Sequence, residues 1–187
     1  YDFGFAIIDK NGNVYRKGSF VVADVFLDDE LMESAFFAEK IPMYWEQIVK
    51  SERKIKRLYN IRKALVSVME KYNTKIVIAH NARFDYISTA TTQRYLTKSK
   101  YRYFFPYGTE IWDTLKMSRE IFKDDEKYCA FCTENEYVTK NNSVKLTAEI
   151  LYRYLTNDNS FIESHTGLED VLIEKEIFVH CVQKNPE

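Results

Sequence analysis

The spacing of apolar and polar residues divides the chain into an early part built from strands and a later part in which strands and helices alternate. Two runs rich in β-branched and aromatic residues, Phe3–Ile8 and Val14–Val22, predict strands. The segment between them, Asp9–Asn13, contains an Asn-Gly pair, which favours a hairpin turn. A short helix is expected over Asp28–Ala38 and should end before Pro42.

Apolar residues recur at helical spacing through Ser51–Tyr72, which predicts an amphipathic helix. Antiparallel strands followed by strand–helix alternation favour an α/β fold in which helices flank a mixed sheet. No repeat or linker interrupts the chain, so residues 1–187 are expected to form a single domain. The later predicted elements are a strand at Lys75–Ala79, a helix at Ala82–Leu96, a strand at Thr109–Trp112, a helix that ends at Phe122, and helices at Val144–Leu155 and Gly167–Gln183.

Composition supports a folded domain and narrows the class of partner. Of the 187 residues, 45% are hydrophobic and 16% aromatic, which excludes a disordered chain. The formal net charge of -1 excludes a uniformly basic nucleic-acid binder, although a groove can still be locally basic. No apolar run is long enough to span a membrane, so no membrane partner is expected.

A histidine and an acid stand at the predicted start of the last helix. Thr166 and Glu169 have the Thr-x-x-Glu spacing of a capping box, which predicts a helix that begins near Gly167. His165 then lies just outside the helix, and Asp170 lies in its first turns. Because the positive helix terminus disfavours an imidazolium, His165 is expected to stay neutral, as a general base must. The same residues are also typical of a partly exposed loop histidine and a solvated helix carboxylate.

A second carboxylate follows the buried strand at Lys75–Ala79. Asn81 stands where it can cap the next helix, and Asp85 falls in the first turn of that helix. A helix cap and an acid that compensates the helix dipole would explain these two residue types separately. Their appearance together with His165 and Asp170 favours a metal-dependent phosphodiester hydrolase, in which carboxylates hold divalent ions and a base deprotonates water.

Three segments together resemble one family of enzymes. The stretch Ala79–Asp85, Ala-His-Asn-Ala-Arg-Phe-Asp, resembles the second motif of the DEDD 3′–5′ exonuclease superfamily. The stretch His165–Asp170 resembles the third motif of its histidine branch, DEDDh, and Trp112–Leu115 resembles the strand end and helix start found between these motifs. The resemblance spans nearly the whole chain and implies a ribonuclease H-like fold.

The resemblance also implies roles for individual residues. Asp85 and Asp170 would help bind two divalent cations, Mg²⁺ or Mn²⁺, and His165 would be the general base. Asn81 and Phe84 would support the site beside the substrate. The implied activity is hydrolysis of single-stranded DNA or RNA from the 3′ end to nucleoside monophosphates. It implies a cytoplasmic protein of DNA replication, repair or RNA processing, with a polymerase or other replication protein as a candidate partner.

The first motif of the family, Asp-x-Glu on the first strand, has no counterpart here. The chain opens on Tyr1-Asp2-Phe3-Gly4, which corresponds to the family's second strand. We therefore expect one of two cases: a fragment that lacks the first strand and two of the four metal-binding acids and is inactive by itself, or an active protein whose opening residues precede Tyr1. If such a fragment proved active, Asp2 and Asp113 would be the next acids to consider as ligands.

Two cysteines have metal-ligand spacing. Cys129 and Cys132 form a CxxC pair, as in half of a structural zinc site or in a redox pair. His180 and Cys181 would complete a zinc site only if the last helix ended beside this loop. A pair of reduced thiols in an intracellular loop is the simpler interpretation.

Two further segments are candidates for substrate contacts. Residues 98–105 interleave Lys100, Arg102 and Tyr103 with other basic and aromatic residues, as single-strand binding surfaces do. The same pattern is also typical of a hydrophobic loop whose Lys and Arg heads are solvated. The segment Asp124–Asn142 is polar and long for a plain connection, which predicts a flap or insertion near the active site.

Three functions are open on the sequence alone. The first is the exonuclease, and the second is a catalytically inactive nucleic-acid-binding or regulatory domain of the same fold, which the absent first motif favours. The third is a zinc-stabilised interaction module built on Cys129 and Cys132. The motifs do not distinguish DNA from RNA, because that distinction depends on contacts to the 2′-hydroxyl.

Overall fold

The computed structural model describes residues 1–35, 38–100 and 102–185, and within them the chain has a mixed α/β architecture, as expected. The strands are β1 (Asp2–Ile8), β2 (Val14–Val22), β3 (Lys54–Lys56), β4 (Ile76–Ala79) and β5 (Glu110–Asp113). The α-helices are α1 (Ala23–Phe26), α2 (Asp29–Glu33), α3 (Ile41–Val49), α4 (Leu58–Lys71), α5 (Ala82–Thr97), α6 (Thr114–Phe122), α7 (Glu126–Glu134), α8 (Ala148–Thr156) and α9 (Gly167–Lys184).

The strands form two small sheets where the sequence predicted one. β1 pairs antiparallel with β2, and β3 adds to β2 in parallel. β4 and β5 form a separate parallel pair. Among the described residues no strand joins β1 to β4, although Phe3 and Phe5 of β1 share an apolar cluster with Val77 of β4. The two sheets are therefore held together by side-chain packing.

The predicted hairpin between β1 and β2 is confirmed. Gly12 adopts a positive φ of 84°, which glycine tolerates without the steric cost of a Cβ. One carboxylate oxygen of Asp9 accepts hydrogen bonds from the main-chain nitrogens of Asn11 (2.8 Å) and Asn13 (3.0 Å). The Asp side chain thus closes the turn and fixes the register of the two strands.

The helix predicted over Ser51–Tyr72 is wrong at its start. Residues 54–56 form β3, in which Lys54 and Lys56 are exposed and Ile55 is half-buried, so a strand alternation precedes the helical spacing. Ser51 has a φ of 60°, and this left-handed residue separates α3 from β3. The helix itself, α4, begins only at Leu58.

Three other boundaries also differ. The helix expected over Asp28–Ala38 is α2 followed by a 3₁₀ turn at Ala38–Lys40, and the intervening positions 36 and 37 lie outside the described residues. Pro42 lies in the first turn of α3, where its missing N–H costs nothing, so it begins a helix instead of ending one. The helix expected from Val144 begins at Ala148, since Val144 pairs with Val138 in an isolated bridge.

Within the segment Asp124–Asn142, residues Glu126–Glu134 form helix α7, and the expected flap or insertion stays a prediction. Asp125 accepts a hydrogen bond from the main-chain nitrogen of Tyr128 (2.8 Å) and caps α7. Tyr128 and Cys132 are fully buried in one cluster with Cys181 near the end of α9. Helix α9 therefore contributes its C-terminal part to this core, while its first residues lie against β1.

Candidate metal centre at the start of α9

Helix α9 begins at Gly167, as predicted, and the residues before it adopt a shape that leaves His165 outside the helix. His165 has a left-handed φ of 51°. The expected capping box is only partly formed: the Thr166 hydroxyl donates to the Glu169 carboxylate (2.6 Å) and makes no bond to the helix backbone. The main-chain nitrogen of Thr166 donates instead to Asp170 (3.2 Å). This bond draws the Asp170 carboxylate back toward the helix start, on the side of His165.

Three potential metal ligands meet at this point. Glu163, His165 and Asp170 each offer one ligand atom, and these atoms lie within 4.8 Å of one another. Within the described ranges, this is the one set of three or more His, Cys, Asp or Glu side chains that meets this criterion. The Nδ1 atom of His165 lies 3.6 Å from Oε2 of Glu163, and half of the His165 side chain is exposed. A solvent-borne ion or phosphate can therefore reach the group.

The carboxyls of this group are destabilised as anions. Burial and the neighbouring Glu163 raise the pKa of Asp170 to about 6. Burial also raises the pKa of Glu163. Two desolvated carboxyls that repel each other are relieved by a divalent cation, which prefers oxygen ligands of this kind. The two carboxylates of this set suit Mg²⁺ or Mn²⁺, and the imidazole of His165 is a ligand type that also suits zinc.

Asp85 lies outside this group of three but is electrostatically linked to it through Glu174. Asp85 stands in the first turn of α5, and burial, with a smaller contribution from Asp113, raises its pKa to about 6. Glu174 lies one helical turn after Asp170, and burial together with Asp85 raises its pKa to about 8. Asp170 and Glu163 raise the pKa of Glu174 further. Carboxylates at the start of α5 and at the start of α9 thus both raise the pKa of Glu174.

Sequence reasoning missed Glu163 and Glu174. Glu174 is four residues after Asp170, and this i, i+4 spacing on a helix was available in the sequence. Glu163 precedes the helix in an irregular segment, where no periodicity indicates which way a side chain points. Only the left-handed turn at His165 brings Glu163 beside Asp170.

Asp2 lies next to this site but is engaged in holding the fold. The main-chain nitrogen of Gly167 donates to its carboxylate (2.7 Å), which places an acid at the positive end of α9. A Cβ on Gly4 would lie 2.3 Å from the carbonyl carbon of Gly167, so β1 and α9 are in direct backbone contact. The Asp2 carboxylate also pairs with the Arg53 guanidinium.

Arg53 holds the start of α9 against β1 and α3. It is 3% exposed, and besides Asp2 it contacts Glu169 (3.3 Å) and the Gln47 side-chain oxygen (2.8 Å). Its guanidinium also lies 5.2 Å from the ring centre of Tyr44. This one buried cation therefore joins β1, α3 and α9.

Asn81 begins α5 differently from the expected cap. It has a left-handed φ of 64°, and its side chain makes no capping bond. Its main-chain nitrogen donates to the Asp113 carboxylate (3.0 Å), which also caps α6 through Leu115 (3.0 Å). Asp113 therefore ties the two turns that follow β4 and β5, and it orients Asp85 through the backbone of α5.

His80, the neighbour of Asn81, has a structural role. Its Nε2 donates to the carbonyl of Leu146 (2.7 Å), and its Nδ1 lies 3.0 Å from the Thr114 hydroxyl. Burial lowers the pKa of His80, so the ring stays neutral. His165, by contrast, keeps an exposed ring beside carboxylates.

The two cysteines of the CxxC pair lie on α7. Cys129 is half-buried, whereas Cys132 and Cys181 are fully buried. The Cys181 thiol lies 3.7 Å from the Ser118 hydroxyl in the apolar core. In the part of the chain that the structure describes, these thiols do not join a group of three ligands, so zinc binding stays a prediction.

The predicted substrate segment contributes both to the surface and to the core. Lys100 and Arg102 are exposed, and Tyr103 is half-exposed under the guanidinium of Arg94, which lies 5.1 Å from its ring centre. Phe104 is 1% exposed and packs against β1. The segment 98–105 therefore places its basic residues and Tyr103 at the surface and Phe104 in the core.

Comparisons of the chain with protein-family models, with curated proteins and with solved structures find no match. A search of the described helices for one that is long and apolar enough to cross a membrane finds none.

Proposed function

We propose that this chain is a metal-dependent 3′–5′ exonuclease of the DEDDh type, built on a ribonuclease H-like fold. The observation that carries the proposal is the convergence of Glu163, His165 and Asp170 within 4.8 Å at the start of α9. Asp85, linked to them through Glu174, supplies the carboxylate of the second motif. The substrate is the 3′ end of a single DNA or RNA strand, and the products are nucleoside monophosphates.

The roles of the residues follow from their positions. Asp170 and Glu163 would hold one divalent ion, and Asp85 with Glu174 would hold or orient a second. A bound ion lowers the pKa of water and stabilises charge on the leaving 3′ oxygen. His165 is exposed and lies outside the helix, so its imidazole can take the proton of the attacking water. Asn81 shapes the turn before Asp85, and Phe84 contacts the substrate with its exposed ring.

A second candidate function has one observation in its favour. Asp2 is the acid of β1 nearest to the site, and it is bound by Arg53 and by the backbone of Gly167. An acid engaged in this way is poorly placed to bind a metal ion. A catalytically inactive domain that binds nucleic acid with the same surface is therefore the alternative.

One experiment separates these functions. The protein is incubated with 5′-labelled single strands of DNA and of RNA, with Mg²⁺ or Mn²⁺ and with EDTA. We expect a ladder that shortens from the 3′ end with metal only, and loss of the ladder in His165→Ala. His180→Ala, a half-buried histidine near the other end of α9, is the matched control. Binding without cleavage would favour the inactive domain, and absence of both would reject both functions.

A further inference from the structure

Helix α5 exposes three large apolar side chains to solvent. Phe84 is 67% exposed, Ile87 48% and Tyr95 56%. Together with Thr91 they stand at i, i+3, i+7 and i+11, which places them on one side of the helix, and Lys98, the residue after α5, extends its Nζ atom to the Tyr95 ring. The opposite side packs into the protein through four buried residues: Ala82, Thr89, Ala90 and Gln93. We call the exposed side, formed by Phe84, Ile87, Thr91, Tyr95 and Lys98, the α5 face.

The charges from the second turn of α5 to the segment that follows the helix are of one sign. The whole chain carries 27 Lys and Arg against 28 Asp and Glu, yet residues 86–109 contain neither Asp nor Glu. The same stretch contains Arg94, Lys98, Lys100 and Arg102. Asp85, the one acid of α5, thus lies in the first turn of the helix, and the other end is cationic.

Cations and rings are paired at this cationic end. The Nζ atom of Lys98 lies 4.6 Å from the ring centre of Tyr95, and Arg94 lies 5.1 Å from that of Tyr103. The ion pairs formed by described residues include neither Arg94 nor Lys98. Lys98 is exposed and therefore available to an external anion, whereas Arg94 is half-buried with its Nε atom buried; the neighbouring rings of Tyr95 and Tyr103 stay partly open.

We propose that the α5 face binds a single-stranded polynucleotide and guides its 3′ end to the metal centre. This inference rests on the proposed function, because it assigns the path of that substrate. Exposed rings stack on bases of any sequence, and interspersed cations meet the phosphates. A purely apolar partner would use the rings but leave the cations unpaired, whereas a polynucleotide satisfies both.

The direction and length of the path follow from the helix. Asp85 is adjacent to Phe84, so the 3′ end lies at the start of α5 and the strand runs toward Lys98. Eleven residues separate Phe84 from Tyr95, or about 16 Å at a rise of about 1.5 Å per residue. At about 3.4 Å per stacked nucleotide, this distance covers roughly five nucleotides.

The test measures binding without cleavage. Anisotropy of a 5′-fluorescein oligo-dT 12-mer, and of its oligo-rU counterpart, is followed in EDTA. We expect Tyr95→Ala to weaken binding by roughly 5- to 100-fold, as expected for loss of one stacked base. Tyr95→Phe should keep the affinity. Lys98→Ala should reduce the slope of log affinity against log salt by about 0.7 for one lost phosphate contact.

The chain offers a matched control pair. Lys71 lies 5.5 Å from the ring centre of Tyr72 at the end of α4, so it repeats the pairing of a lysine with a tyrosine ring away from the α5 face. Lys71→Ala and Tyr72→Ala should leave the affinity unchanged. Circular dichroism and the melting temperature show that each variant is folded.

The outcomes separate this inference from the proposed function. Weaker binding in Tyr95→Ala without cleavage by any variant would support the α5 face and reject the exonuclease. Cleavage by the wild type with unchanged binding in Tyr95→Ala and Lys98→Ala would overturn the inference alone. No binding by the wild type would also overturn it. Concentration-dependent dimerisation that Tyr95→Ala abolishes, seen by sedimentation, would assign the face to a second copy of the chain.

Discussion

The two ends of helix α9 carry two different chemical motifs, and the tertiary structure surrounds them with opposite environments. At the N-terminal end, His165 and Asp170 meet Glu163 in a polar, partly open site. Near the C-terminal end, Cys181 is fully buried in an apolar cluster with Cys132. Gly167 and Cys181 are about 21 Å apart along the helix.

The candidate ligands at the two ends of α9 differ in their surroundings, and zinc binding at the thiols stays a prediction. The CxxC pair has ligand spacing, but α7 turns Cys132 into the core, where a thiol packs as a small apolar group. At the other end, the main-chain nitrogen of Thr166 donates a hydrogen bond to Asp170, and the carboxylates of Asp170 and Glu163 repel one another. The N-terminal end of α9 thus holds carboxylates that repel each other, whereas the cluster around Cys181 is apolar.

The largest expected effect concerns the carboxylates at the N-terminal end. Asp85→Asn and Asp170→Asn should each reduce nuclease activity below detection at saturating Mg²⁺, because each removes a metal ligand. Each variant should remain folded, with a melting temperature no lower than that of the metal-free wild type, since one repelling charge is gone. Near-normal turnover in either variant would remove that acid from the site.

His165→Ala should lower turnover by about 10²- to 10⁴-fold, the usual contribution of a positioned general base. Metal binding, measured by calorimetry, separates a base from a ligand: unchanged affinity for Mn²⁺ in His165→Ala supports the base. An unaltered rate and pH profile in the variant would show that His165 takes no part.

Arg53→Ala tests whether Arg53 stabilises the N-terminal end of α9. It leaves Asp2 buried without its cation, and loss of one partner of a buried pair costs about 3–5 kcal/mol of unfolding free energy. Urea denaturation measures this cost. Lys50→Ala, which breaks the exposed pair with Glu46 on α3, should cause no measurable change. Equal stability of the two variants would mean that Arg53 does not anchor α9.

The raised carboxyl pKa values predict how stability depends on pH. Asp85 and Asp170, with pKa values of about 6, and Glu174, with a pKa of about 8, keep protons in the folded state that the unfolded chain releases near pH 4. The metal-free protein should therefore lose stability as pH rises from about 4 to about 8. Glu174→Gln should flatten the part of this decline between pH 6 and 8.

Divalent metal should reverse that decline. Mg²⁺ should raise the melting temperature more at pH 8 than at pH 5, because the ligands must be ionised to bind it. Glu46→Gln, which alters an exposed acid on α3, should leave the pH profile unchanged. If the stability of the metal-free protein did not change between pH 4 and 8, this would contradict the raised pKa values of Asp85, Asp170 and Glu174.

The smallest effect concerns the thiols. In the native protein, a disulfide reagent should modify Cys129 and leave Cys132 and Cys181 unreacted until the protein unfolds, since burial raises the pKa of both buried thiols. A zinc chelator should leave the melting temperature unchanged. One equivalent of zinc, together with destabilisation by the chelator, would make this end of α9 a metal site as well.

Some features followed from local chemistry and could be predicted from the sequence. The Asn-Gly turn, the β1–β2 hairpin and the bounds of α5 and α9 depend on turn residues and on apolar periodicity, which act over a few positions. β3 was missed because Ile55 fits a helical repeat as well as a strand. Its assignment depends on pairing with β2, more than thirty residues earlier.

The sequence by itself determined which residues stand at the starts of α5 and α9, because capping, turn formation and apolar spacing are local properties of the chain. It placed His165 outside α9, Asp170 in its first turns and Asp85 in the first turn of α5. The tertiary structure alone decided which of these groups meet. Glu163 joined them and Cys132 entered the core, since burial and electrostatic repulsion depend on neighbours that are distant in the chain.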